Sequence, residues 1–144
     1  MSPADVTATA RAWIRTPYHH QASLKGIGCD CLGLLRGVWR ELLGEEPEKA
    51  PAYSPSWDEV KPQEHMLRVC HAYLRPVPLD CREEGTVLVF RMVKGSVAKH
   101  CGIVTTDNRM VHALQGRGVV EVSLGPYWDR RVAGAFALPG VNNG

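Results

Sequence analysis

The spacing of apolar residues changes period at Thr86, and no other feature limits the possible folds as much. Upstream, Val6, Ala10, Trp13 and Ile14 recur at the spacing of one helical face, and the apolar stretch from Cys31 to Leu43 reads as a second helix. Downstream, five short runs rich in β-branched residues, 86–91, 100–105, 109–113, 119–122 and 132–138, are separated by Gly, Asn and Asp. Helices grouped ahead of strands argue against the alternation that builds a parallel sheet. They predict an α+β fold with N-terminal helices packed on a C-terminal antiparallel β-sheet.

Local signals set the boundaries. Ser2-Pro3-Ala4-Asp5 reads as a helix start, with Ser2 as cap, Pro3 in the first turn and Asp5 reaching back. The first helix, about three turns long, must end before Pro17, because proline disfavours helical geometry in its predecessor. Residues 18–29 read as a loop holding His19, His20, Gly26 and Gly28, and Gly44 stops the second helix. Asp107-Asn108 is placed to turn a hairpin. The stretch from Glu45 to Gly85 is the least regular, broken by Pro47, Pro51, Pro55, Pro62, Pro76 and Pro78. Within it Ser56-Trp57-Asp58-Glu59 resembles a capping box, and Met66, Leu67, Val69, Cys70, Tyr73 and Leu74 would line the buried face of a helix ending before Pro76. This stretch reads as a helical insertion carried on the core.

A chain of 144 residues with 44% hydrophobic content supports one domain with a real core. Its 17 basic and 15 acidic residues form no block of like charge, which argues against a nucleic-acid partner. No apolar run approaches the roughly 20 residues that span a bilayer, and Met1-Ser2-Pro3-Ala4-Asp5 has no signal-peptide character. The expectation is a chain made in the cytoplasm without membrane insertion. Five cysteines, at positions 29, 31, 70, 81 and 101, include no C-x-x-C pair, so reduced thiols are expected.

One thiol stands where it can react. Cys31, in Gly28-Cys29-Asp30-Cys31-Leu32-Gly33-Leu34-Leu35, follows a glycine-rich turn and opens a helix. Helix starts carry partial positive charge and unpaired N–H groups, which favour a thiolate and can receive an oxyanion. A cysteine nucleophile also needs a base, and the base a partner that fixes its ring. His100 begins one strand and His112 lies near the end of the next; paired about the Asp107-Asn108 turn they lie nearly opposite on one sheet face, against which a helix carrying Cys31 would complete the set. Cys29 is the rival nucleophile, placed in the turn. Strand alternation sends Cys101 to the face opposite His100, as core packing. The C-x-C spacing and that same alternation disfavour a zinc site built from Cys29, Cys31, His100, Cys101 and His112. His19, His20, His65 and His71 read as surface residues, while Trp128, beside Arg130 and Arg131, is placed to line a groove or a docking surface.

Four stretches taken in order resemble the NlpC-type cell-wall cysteine peptidases, which are papain-like murein endopeptidases. They are Asp30-Cys31-Leu32-Gly33-Leu34, Gly85-Thr86-Val87-Leu88-Val89-Phe90, His100-Cys101-Gly102-Ile103 and Met110-Val111-His112-Ala113, preceded by Thr16-Pro17-Tyr18. The resemblance implies a papain-like core with Cys31 as nucleophile, His100 as base and later acid, and His112 as the third polar residue. It makes Tyr18 and Asp30 candidates for binding substrate or supporting the oxyanion, and it implies no metal or organic cofactor. The implied substrate is the peptide stem of peptidoglycan, cut between γ-D-glutamyl and diaminopimelate or lysine through an acyl-enzyme. Leu32 and Cys101 depart from the family's Ser and Val at those places and make the surroundings less polar. The style of Thr16-Pro17-Tyr18 and Lys99-His100-Cys101-Gly102-Ile103 is similar to peptidases of phage tails and gene transfer agents. That likeness implies hub or baseplate partners and action at the cell wall or periplasm as part of a virion-like particle. A structural or adaptor tail protein that keeps the fold, or an amidase or acyltransferase on another amide, is the alternative reading.

Overall fold

The computed structural model of the protein describes residues 1–47 and 64–141. Helix α1 (Pro3–Arg11) opens on the expected reciprocal cap: Ser2 Oγ accepts from the Asp5 N–H at 3.2 Å, and Asp5 Oδ2 accepts from the Ser2 N–H at 2.8 Å. It is shorter than the apolar spacing implied, and Trp13 is delivered to the core by the turns that follow. Arg15, at φ 81°, redirects the chain there and donates its N–H to Val119 O. Two short strands come next, β1 (Ser23–Leu24) and β2 (Gly28–Cys29), paired antiparallel in a stretch that read as plain loop. Two-residue strands carry no periodic signal, so only the pairing reveals them.

Helix α2 (Cys31–Leu43) has Asp30 as its N-cap and ends at Gly44, as expected. Gly37 lets α1 and α2 close together, since a Cβ there would fall 2.0 Å from the Trp13 ring. After the undescribed residues, which include the capping-box stretch 56–59, helix α3 (His65–Tyr73) buries Met66 and Cys70. Val69, expected inward, is 37% exposed, because the buried face of α3 is narrower than the apolar pattern.

The sheet follows: β3 (Arg75–Pro76), β4 (Val87–Phe90), β5 (His100–Val104), β6 (Arg109–Leu114), β7 (Gly118–Ser123), a single turn of helix α4 (Pro126–Asp129), and β8 (Val132–Ala137). The spatial order is β3-β8-β4-β5-β6-β7, with every neighbouring pair antiparallel. Pro76 was read as a helix stop, and it also lies in the edge strand β3, where a missing N–H costs no ladder bond. Asp107 and Asn108 both adopt left-handed φ, 56° and 54°, and turn β5 into β6 as expected.

Alternation along the strands divides the core in two. Val87, Val89, Cys101, Ile103, Val111 and Ala113 face the helices and pack with Val6, Leu34, Val38, Met66 and Cys70. Leu88, Phe90, Val104 and Met110 face the other way, under Leu124 and Trp128. Both faces are covered, which is why β4 is buried along its whole length. This is the α+β architecture expected, with the helical insertion packed onto it. Among the described residues no helix is long and apolar enough to cross a membrane.

Candidate active site

Asp30 shapes the start of α2. Its Oδ1 accepts from the Gly33 N–H at 2.7 Å, and its Oδ2 accepts from the Gln21 N–H at 2.8 Å, with His20 Nδ1 at 3.8 Å. At 3% exposure the carboxylate faces backbone donors, and its place is in the framework. Gly33 is required by the same packing: a Cβ there would lie 1.9 Å from the Ala22 carbonyl oxygen. The capping therefore holds the first helical turn, and Cys31 with it, against the preceding loop.

On the sheet, His100 Nε2 and His112 Nδ1 are 2.8 Å apart with the rings close to perpendicular. The register pairs Ile103 with Val111, so Gly102 lies across from His112 and the two histidines meet on the diagonal. Gly102 makes that diagonal possible, since a Cβ would sit 2.7 Å from Met110 Sδ and 3.3 Å from His112 Cβ. Trp128, on α4, stacks on His100 at 5.8 Å between centroids and meets His112 edge to face at 5.1 Å. Its contact is with the histidine pair, which nothing in the residue spacing indicated. His112 is wholly buried and its Nε2 has no partner among the described residues. Burial, then the neighbouring charge of His100, pushes its pKa down to about 3, so it is a neutral ring.

The helix does not pack on the face that bears the imidazoles. The apolar residues of α2 lie with Cys101 and Ile103, and the two histidines project from the opposite face beside Met110 and Phe90. Cys31 still reaches His100 because α2 begins at the end of the sheet: Cys31 Sγ lies 3.5 Å from the Lys99 carbonyl, just ahead of β5. There it lies beside His100, the residue after Lys99, and beside Cys101, whose Sγ is 3.4 Å from the Cys31 carbonyl oxygen. The Cys101 contact first, and the bond and charge of His100 after it, outweigh burial and hold the Cys31 thiol well below the usual thiol range. Cys29 shows the contrast. It is buried in β2, and burial pushes its thiol up to about 12.

Tyr18, half-buried, bridges to Cys29. Burial, followed by the nearby Cys31, pushes its phenol up to about 12, so the hydroxyl keeps its proton and can donate. Cys31, His100, His112 and Tyr18 thus gather at one end of the sheet. Arg91 follows Phe90, the strand partner of His100, and opens a cleft of about 430 Å³ lined also by Lys94, Arg130 and Arg131. Among the described residues no group of three or more His, Cys, Asp or Glu side chains is arranged to hold a metal ion.

The model of the NlpC/P60 family matches residues 15–137. The chain belongs to the NlpC/P60 family. Among solved structures it is similar to an NlpC/P60 family protein from Bacillus cereus ATCC 10987, with TM-score 0.65 and 22% identity, over 94% of this chain and 39% of that one. It is also similar to the NlpC/p60 domain of the peptidoglycan hydrolase SagA, with TM-score 0.63 and 20% identity, over 96% and 100% of the two chains. A third likeness, to NlpC1 from Trichomonas vaginalis, has TM-score 0.58 and 14% identity, over 94% and 43%. The chain thus spans about two fifths of the Bacillus cereus protein. Among curated proteins no match is found.

Proposed function

We propose that the chain is a cysteine peptidase that hydrolyses the peptide stems of peptidoglycan through an acyl-enzyme. The observation that carries the reading is a helix-start thiol, Cys31, set 3.5 Å from the Lys99 carbonyl and so beside His100, a histidine whose far nitrogen is held by a second, neutral histidine. In the reaction the Cys31 thiol gives its proton to His100, and the sulfur attacks the scissile carbonyl carbon. Asp30 claims the N–H groups of Gly33 and Leu34, so the oxyanion would be received by those of Cys31 and Leu32, with the Tyr18 hydroxyl beside them. The C–N bond breaks as His100 protonates the leaving amine. His100 then takes a proton from water, whose oxygen attacks the thioester and releases the thiolate.

His112 accepts the Nε2–H of His100 throughout, which turns the other ring nitrogen toward the sulfur. The basic cleft beyond His100 suits the carboxylates of a γ-D-glutamyl to diaminopimelate stem. We place the enzyme at the cell wall or periplasm, docked on the hub or baseplate of a phage-like tail that delivers it. This placement rests on the likeness of its motifs to such peptidases. The test is incubation with purified muropeptides and analysis of products by mass spectrometry. New amino termini at the γ-glutamyl bond, lost in Cys31→Ala and in His100→Ala, are expected. Intact muropeptides, or cleavage that persists in Cys31→Ala, would remove the peptidase reading.

A further inference from the structure

We propose that the nucleophile is a pair of thiols, in which the S–H of Cys101 donates to the Cys31 sulfur and holds it as the thiolate. The inference rests on Cys31 being the reactive residue, as above, but it concerns a group to which that reading gives no task.

The pairing follows from β5 alternation and the docking of α2. Consecutive residues of β5 point to opposite faces, so His100 joins the histidine pair while Cys101 enters the helix side of the core. Cys31, the first residue of α2, sits at the end of the sheet, with its Sγ 3.5 Å from the Lys99 carbonyl just ahead of the two. Cys101 is 2% exposed, and its Sγ lies 3.4 Å from the carbonyl oxygen of Cys31, so its thiol stands against the residue that carries the nucleophile. A thiol carries one proton on a freely rotating bond. While Cys31 is neutral that proton rests on its carbonyl, and Cys31 donates to Lys99 O. Once Cys31 ionises, the same proton can turn to the anionic sulfur without displacing a heavy atom.

The groups that face Cys31 decide which thiol keeps its proton. From β5 these are His100 and Cys101, from the preceding segment Tyr18, Cys29 and Asp30, and from α3 Cys70. His100 and the helix start favour the charge on Cys31, whereas Cys101 is enclosed by Val89, Ile103 and other apolar side chains. The bond to Cys31, then burial, pushes the Cys101 thiol up, which keeps it a donor. An apolar residue at position 101 would fill the same space and offer no proton.

The experiment measures the rate at which iodoacetamide alkylates Cys31 in the full chain as a function of pH, with the site read by peptide mapping. Cys101→Val is expected to move the half-point of alkylation up by about one pH unit, from about 5, and so to slow the reaction at pH 6 about twofold. Cys101→Ser, which keeps a donor, is expected to stay near the parent. If Cys101→Val melts abnormally, Cys101→Ala replaces it, because Ala and Ser differ in the donor more than in volume. An unchanged half-point in a folded Val or Ala variant, or equal shifts in the Ser and Ala variants, would overturn the pairing. The measurement needs no substrate, so it is independent of the peptidase reading. A shifted half-point in a protein that leaves muropeptides intact would retain the pair and remove only the activity, and the reverse would remove only the pair.

Discussion

Replacing His112 tests the histidine pair most directly. His112→Ala removes the acceptor 2.8 Å from His100 Nε2 and leaves that N–H without its partner when His100 carries a proton. A hydrogen bond to a charged group is worth about 1.5–3 kcal/mol. At about 1.4 kcal/mol per factor of ten, its loss in the transition state slows turnover about 10–150-fold. His112 is wholly buried, so alanine also leaves a cavity whose cost to stability is on the order of 2–4 kcal/mol. The rate must therefore be referred to folded protein. The assay is the initial rate of new amino groups released from muropeptides, alongside a thermal melt of the same sample. His112→Asn brings an oxygen acceptor close to the place of Nδ1 and is expected to stay within about fivefold of the parent, on the argument that the acceptor and not the ring is what His100 needs. A folded His112→Ala that turns over as fast as the parent, or an Asn variant as slow as the Ala one, would refute the assigned role.

Two further outcomes follow from the packing of the same residues. The His112 ring, ordinarily near 6.5, is pushed down to about 3 by burial, so between these values the unfolded chain binds a proton that the folded chain does not. Stability from this group is complete above pH 6.5 and falls by about 1.4 kcal/mol per unit as pH drops toward 3. Melts at pH 7 and pH 5 should show a larger loss in the parent than in His112→Asn, and equal losses would contradict the buried neutral ring. Gly33→Ala forces a Cβ to within 1.9 Å of the Ala22 carbonyl, an overpacking of about 1–3 kcal/mol that lowers Tm by about 2–12 °C and displaces Cys31. Gly125→Ala, in extended backbone with nothing among the described residues within 4 Å, is the control expected to melt like the parent.

The sequence by itself determined the features that depend on residues a few positions apart. The Ser2–Asp5 cap, the span of α2, its stop at Gly44, the Asp107-Asn108 turn and the five main strands are such features. So is the placing of a thiol at a helix start, because a cap and an apolar period are read within one or two turns. Tertiary structure decided which groups that thiol meets. The helix docks on the Cys101 face while the histidines project from the other, so the site assembles around the end of the sheet. The histidines join diagonally across Gly102, Asp30 turns into the cap, and Trp128 closes over the pair. Alternation tells that His100 and Cys101 part company, but register and helix docking tell that Cys31 comes to lie beside the start of β5 where both stand, and those are set by contacts about 70 residues apart in the chain.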